Sequence, residues 1–238
     1  MENLQNKRVL VTGATGGMGM HLIPLLKQSG ARLFVSAKHE DKLQASMKRW
    51  GMEQQDGYAC NVADAHSVKQ LFVQVKQKWN ALDMLINLSG MGLIKPVEQL
   101  TEAAFEEVMR VNAFGAFYLT KSALELMREH KQGLLLHVPG ILGKTPMAGA
   151  TAYCASKYAL VGMMQSIREE LKRTAIRISL LYFGGVDTPF WDGLDLRVQR
   201  EKLIRPEEAA RAIWFACQQP HSGVVNEMVI QPFSHQVL

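Results

Sequence analysis

Tyr153 and Lys157 stand four residues apart in Tyr153-Cys-Ala-Ser-Lys157, at the head of a strongly helical stretch. That spacing puts both side chains on one helix face. An ammonium beside a phenol favours the phenolate and draws its pKa down from about 10 toward working pH. Tyr153 is then suited to pass a proton to or from a substrate oxygen while a nicotinamide exchanges a hydride. Tyr and Lys at this spacing also occur on solvated helix faces, so the pair gains chemical meaning only beside a cofactor site.

Such a site is written far upstream. Thr12-Gly13-Ala14-Thr15-Gly16-Gly17-Met18-Gly19 follows one short apolar run and opens a helical pattern. Glycine serves where a chain turns tightly and where backbone must approach a ligand closely. The free N–H groups of the new helix then face a phosphate, assisted by the helix dipole. No Lys-Ser/Thr pair follows the glycines, which excludes a Walker loop. The next predicted strand ends in Ser36-Ala37-Lys38-His39, with no acid before Glu40. A ribose diol calls for an acid at that place and a 2′-phosphate for a cation, so Lys38 predicts NADP(H) in preference to NAD(H).

The elements that must position these groups alternate along the whole chain. Predicted strands cover Arg8–Thr12, Arg32–Ser36, Gly57–Cys60, Met84–Asn87, Leu134–Val138, Arg177–Leu181 and Glu227–Gln231. Helical patterns lie between them at Met18–Ser29, Asp41–Trp50, Ala65–Trp79, Glu102–Glu129, Thr151–Arg173 and Pro206–Gln218. Nearly continuous apolar runs such as Leu134-Leu-Leu-His-Val138 suit strands covered on both faces. The pattern predicts an α/β fold, Rossmann-like and doubly wound, with a seven-stranded parallel sheet and helices on both faces. No linker or repeat interrupts it, so residues 1–238 read as a single dinucleotide-binding domain. Thr101 before Glu102 is a predicted N-cap, and Pro206 with Glu207 and Glu208 a predicted helix start. The stretch Val111–Leu119 is apolar almost all round, which predicts a second buried face and self-association.

Composition narrows the classes further. Of 238 residues 47% are hydrophobic and 21% charged, enough for a large core and unlike a disordered chain. Lys and Arg number 27 against 22 Asp and Glu, leaving +5, yet no basic run reaches four residues. That pattern excludes a nucleic-acid stripe. Cys60, Cys154 and Cys217 are scattered and odd in number, which fits neither a disulfide framework nor a metal site. The start lacks an apolar signal core and no apolar stretch approaches a membrane span, which predicts a soluble, cytoplasmic protein.

Taken together, the motif Gly13-x-x-x-Gly17-x-Gly19, the Asn87-Leu-Ser-Gly90 strand end, Asn112, the Tyr153/Lys157 pair and Phe183-Gly-Gly-Val-Asp-Thr188 resemble the short-chain dehydrogenase/reductase family along essentially the whole length. The resemblance implies Tyr153 as general acid/base, Lys157 binding the nicotinamide ribose and tuning Tyr153, and Asn112 holding a water of the proton relay. It implies cofactor contacts from Gly13, Thr15, Gly16, Gly17, Met18, Gly19, Lys38, Asn61, Val62, Asn87, Ser89, Gly90, Tyr153, Lys157, Gly184, Val186 and Thr188. Asn61 takes the place of the usual adenine-binding aspartate and can still accept a bond from the amino group. A small carbonyl or alcohol substrate follows, as does a homodimer or homotetramer through the fourth and fifth predicted helices.

One departure bears on chemistry. The family's catalytic serine corresponds to Gly140, within His137-Val-Pro-Gly140, where no hydroxyl is available. Losing one donor to a reacting oxygen costs about 10²–10³-fold in rate. Ser89, Thr145 and His137 are the nearby polar candidates to compensate, although strand alternation places His137 opposite Gly140 and toward the core. Leu88 replaces a second asparagine of the family. Two functions therefore stand at this stage: an NADP(H)-dependent oxidoreductase with reduced activity, or a non-catalytic NADP(H)-binding sensor or partner subunit. Phe190, Trp191 and Leu194 of the following loop predict one apolar wall of a substrate pocket, and Met91, Leu93 and Ile94 the other.

Overall fold

The computed structural model describes residues 3–194, 196–220 and 222–234. Seven parallel strands form one sheet in the order β3-β2-β1-β4-β5-β6-β7. They are β1 Arg8–Thr12, β2 Arg32–Ala37, β3 Gly57–Ala59, β4 Met84–Asn87, β5 Gln132–His137, β6 Ala175–Phe183 and β7 Glu227–Ile230. The helices are α1 Gly17–Gln28, α2 Glu40–Trp50, α3 Ala65–Trp79, α4 Glu102–Met109, α5 Gly115–His130, α6 Thr151–Glu170 and α7 Pro206–Cys217. The fold is thus Rossmann-like and doubly wound. After β3 the chain crosses back to the other side of β1, so the winding reverses between β1 and β4. Ligands of open α/β sheets lie at the carboxyl ends of the strands beside such a reversal.

Alternation along each strand divides the core into two apolar layers. Val9, Val11, Val35 and Ile86 join Leu22, Leu26 and Ile213 on the face covered by α1, α2 and α7. Leu10, Phe34 and Leu85 face the other way, onto Leu71, Leu119 and Met164 of α3, α5 and α6. Each such fully buried side chain contributes about 1.5–3 kcal/mol. At the amino edge Arg8 grips Asp83 in two bonds of 2.8 and 3.0 Å, tying β1 to the start of β4. Asp64 caps α3 through the His66 N–H, and Thr101 caps α4 through the Ala104 N–H at 3.2 Å, as its sequence position predicts.

The long helix predicted over Glu102–Glu129 is divided. Between α4 and α5 the turn Arg110–Phe114 is π-helical. The widened turn carries the Asn112 side chain inward, where its bonds to Met91 and Ser156 hold it. Single π turns of this kind recur at functional sites. Strands β5 and β6 run longer than predicted. Lys131 takes a left-handed conformation, φ 56°, and delivers the chain directly into β5 at Gln132.

Candidate active site

α6 starts at Thr151 and presents Tyr153 and Lys157 on one face, as their spacing requires. Lys157 is 5% exposed and its Nζ donates to the Val138 carbonyl at 3.2 Å. Burial lowers its pKa from the ordinary 10.5 to about 8. The Nζ sits 5.6 Å from the centre of the Tyr153 ring. Tyr153 itself corrects the sequence-based expectation. Burial raises the phenol above its ordinary pKa, with the neighbouring Cys154 thiol adding in the same direction. Burial outweighs the Lys157 ammonium, which donates to the Val138 carbonyl, so Tyr153 holds its proton.

Asn112 binds the pair's surroundings together. Its Oδ1 accepts from the Met91 N–H, and its Nδ2 donates to the Met91 carbonyl and to Ser156 Oγ, all at 2.9 Å. Ser156 in turn donates to the Tyr153 carbonyl at 2.7 Å. The loop after β4 is thereby fastened to the first turns of α6 through one carboxamide. Only one acceptor position on Oδ1 is left for a water. At Gly90 a Cβ would come within 3.2 Å of Asn112 Oδ1 and 3.4 Å of Lys157 Nζ, so the backbone passes close over both.

Beneath this lies a chain of polar side chains inside the sheet. Asn87 Oδ1 accepts from Thr12 Oγ1 at 2.9 Å and from the Ser89 N–H at 3.0 Å. Its Nδ2 meets His137 Nδ1 at 3.2 Å, and His137 Nε2 meets Thr120 Oγ1 at 3.0 Å. Asn87 must donate there, so Nδ1 accepts and Nε2 carries the proton toward Thr120. His137 is fully buried and held neutral, its pKa lowered to about 3 by burial and by the nearby Lys157 charge. Of the three polar groups expected to compensate for Gly140, His137 points into the core, whereas Ser89 and Thr145 line the cleft. Asn87 is 5% exposed and acts on the cleft by fixing Ser89.

The glycine turn closes on the same region. At Gly13, φ 69°, a Cβ would lie 2.7 Å from Leu88 C and Ser89 N, so only glycine lets the two loops abut. Gly16 caps α1 without a side-chain bond, and no acid stands in the first turn. The N–H groups of Gly17, Met18 and Gly19 are therefore the α1 donors left for an anion. Thr188 leans against Gly17, where a Cβ would come within 2.4 Å of its Cγ2. Thr15 lies partly exposed in the turn, and Lys38 is exposed at the end of β2, whose Ser36 carbonyl accepts from Ala14 N–H at 3.0 Å. Asn61 is exposed after β3, its Oδ1 accepting from the Ala63 N–H at 3.3 Å, while Val62 is buried against Gly115.

A cleft of about 610 Å³ opens beside Tyr153 and Lys157; Gly13, Thr15, Gly16, Gly17, Gly19, Lys38, Asn61, Val62, Asn87 and Asn112 lie outside its lining. Met18, Ser89, Gly90, Gly140, Tyr153, Lys157, Gly184, Val186 and Thr188 all line it. Its cover is formed by residues 189–194 and 196–203. The Phe190 ring stands 5.8 Å from that of Tyr153 and packs on Gly92, where a Cβ would meet its Cζ at 2.2 Å. Trp191 Nε1 donates to the Val186 carbonyl at 2.7 Å. Arg200 bonds Asp187 at 2.6 Å and the Thr188 carbonyl at 2.7 Å, and also reaches Asp192. Phe190, Trp191 and Leu194 form the apolar wall expected of them. On the opposite side Ile94 lines the cleft together with Leu88, while Met91 and Leu93 are absent from the lining. Gly140 sits at φ 72° and ψ 172°, a conformation that belongs to glycine.

A family model described as short chain dehydrogenase matches residues 7–198. An uncharacterized oxidoreductase of Staphylococcus saprophyticus is 28% identical over 100% of both chains. Another from Staphylococcus aureus is 28% identical over 98% of this chain and 100% of its own. Among solved structures, an alcohol dehydrogenase from the archaeon Thermococcus sibiricus, complexed with 5-hydroxy-NADP, superposes with a TM-score of 0.87. The identity is 23%, over 98% of this chain and 100% of that one. A variant of the actinorhodin polyketide ketoreductase with NADPH gives a TM-score of 0.84 at 23% identity, covering 98% of each. With the match to the family model spanning most of the sequence, the chain belongs to the short-chain dehydrogenase family and is an oxidoreductase of that type.

Proposed function

We propose that this protein is an NADP(H)-dependent oxidoreductase that interconverts a carbonyl and an alcohol, with Tyr153 as the proton-transferring group. The observation that carries the reading is convergence. Tyr153, Lys157, Met18 of the glycine turn and Gly184, Gly185, Val186 and Thr188 open onto one cleft at the carboxyl edge of the sheet. The uncapped start of α1 fits a pyrophosphate, and Lys38 beyond β2 fits a 2′-phosphate. The relatives crystallised with NADP-type cofactors agree with that preference. When bound, the nicotinamide supplies or accepts the hydride.

The chain's own groups do the rest. Tyr153 retains its proton through burial and delivers it to the carbonyl oxygen, which favours reduction as the working direction. Lys157, charged below pH about 8, is placed to hold ribose hydroxyls and to offset the negative charge that develops on the Tyr153 oxygen as its proton leaves. Asn112 keeps Met91 and Ser156 in register and offers its remaining acceptor position to a water. Gly140, which the resemblance aligns with a catalytic serine, adds no hydroxyl, so besides Tyr153 the side-chain hydroxyls of the cleft lining are those of Ser89, Thr145 and Thr188. Phe190 and Trp191 exclude water above it. Two copies meet through α5 and α6 in the same reading. Phe114 and Phe117 support it, being 49% and 41% exposed on one side of the π turn and α5.

The test is NADPH consumption over a panel of aldehydes, ketones and diketones. Native protein should turn over at least one class, and Tyr153→Phe should lower kcat/KM by about 10²–10⁴-fold with NADPH binding retained. NADPH binding without turnover of any carbonyl would overturn the catalytic reading and leave a dinucleotide-binding protein.

A further inference from the structure

The charge lining the cleft is one-sided. Among the described residues its ionisable groups are Tyr153, Lys157, Arg197 and Lys202, with no aspartate, glutamate or histidine. Arg197 and Lys202 both lie on the cover segment and are exposed at the rim. Their side chains form no ion pair or hydrogen bond among the described residues. Arg200 on the same segment shows the contrast, since Asp187, Asp192 and the Thr188 carbonyl take up its donors. Arg200 fastens the lid, whereas among the described residues Arg197 and Lys202 stand over the opening without a partner.

Cofactor phosphates do not account for those two. Under the reading above, which this inference rests on, the pyrophosphate goes to the start of α1 and the 2′-phosphate to Lys38. The remaining lining is mainly apolar, with Ile94, Ile141, Leu142, Met147, Phe190 and Leu194. Cations without an ion pair among the described residues, set around a low-dielectric cleft, focus a positive potential into it. An arginine fork and a lysine ammonium are the two side chains best matched to carboxylate or phosphate oxygens.

We propose that the carbonyl substrate carries an anionic group, a carboxylate or a phosphate, on an otherwise apolar body, and that Arg197 and Lys202 receive it while the carbonyl faces Tyr153. Association is steered by the same charge, so the preference weakens as salt screens it.

The test compares matched probes with NADPH: an oxo acid against its methyl ester, and a phosphorylated hydroxyketone against its unphosphorylated form. Native protein should favour at least one anion over its neutral partner by about tenfold or more in kcat/KM, as expected for a charged hydrogen bond. In Arg197→Gln/Lys202→Gln the anion-to-neutral ratio should fall toward one, and the loss should appear in the substrate KM. Which pair shows the preference distinguishes carboxylate from phosphate. Neutral and anionic partners consumed equally by native protein would overturn the inference while leaving the oxidoreductase reading intact. A loss confined to the NADPH dissociation constant would overturn it too, by assigning the cations to the cofactor. If nothing is turned over, the oxidoreductase reading fails, and calorimetric titration of the same anions into the NADP⁺-saturated protein decides: binding that the double variant loses supports the inference, and no binding overturns it.

Discussion

At Gly140 the chain turns through φ 72° and ψ 172°. A Cβ there has room, its nearest neighbour being the Phe183 carbonyl at 3.7 Å, so the obstacle to a serine is the backbone rather than crowding. Placing a hydroxyl there by Gly140→Ser should therefore cost about 1–3 kcal/mol in denaturant unfolding, with Gly140→Ala costing the same. It should not raise kcat/KM, because the serine arrives on a strained or displaced turn. A gain in turnover without a loss of stability would refute this. Lys157 sets a pH limit of a different kind. Its ammonium is the protonated form of a base whose pKa burial has lowered to about 8, so the charged, productive form is lost as pH rises through that value. The pH profile of kcat/KM for reduction should descend above pH about 8, since it reports the free enzyme. The Tyr153/Lys157 pair was legible because a spacing of four has only one meaning on a helix. The direction of the Tyr153 shift was not, because the ring of Phe190 that helps bury it comes from a distant loop.

The π turn Arg110–Phe114 is the element on which the site depends most. It exists where the carboxamide of Asn112 closes on both backbone groups of Met91 and on Ser156. Asn112→Ala removes three bonds at once and leaves the Met91 N–H and carbonyl to find water. It should lower kcat by at least tenfold while changing NADPH affinity far less, because the phosphate-binding turn is built from other residues. Equal losses in both would show that the turn supports the whole carboxyl edge. Strand and helix positions followed from periodicity to within a few residues. The π turn did not, and the reason lies in the run Val111–Leu119. A one-residue insertion shows in sequence as a phase slip of the apolar stripe, and a segment apolar on nearly every side has no stripe to slip. The same composition predicts a second buried face and self-association, and in the single chain Phe114 and Phe117 of that run are exposed.

For the whole molecule, the reversal between β1 and β4 explains why residues so far apart in sequence share one cleft. Alternating strands and helices make the sheet legible, and the carboxyl ends of its strands are the one edge where every βα loop emerges. The height of the lid over that edge was not legible, since its anchors are long-range. Self-association through α5 and α6 predicts a mass of at least two chains by light scattering, and Phe117→Lys should shift it toward the monomer; a native monomer would overturn the assignment.

The lid has one further property. Val186 and Ile204 are bridged, and Gly185 and Asp187 exchange backbone bonds with Ile204 at 3.0 and 2.9 Å, so the segment leaves the sheet and returns to it at nearly the same point. A cover stitched at its base can be cut without dismantling what it covers. Limited trypsin digestion at exposed Arg197 or Lys202 should give two fragments that migrate as one folded particle and separate only in denaturant. That particle should keep its NADPH affinity and lose its grip on substrate, dividing by a single peptide bond the half of the site that holds a cofactor from the half that chooses what to reduce.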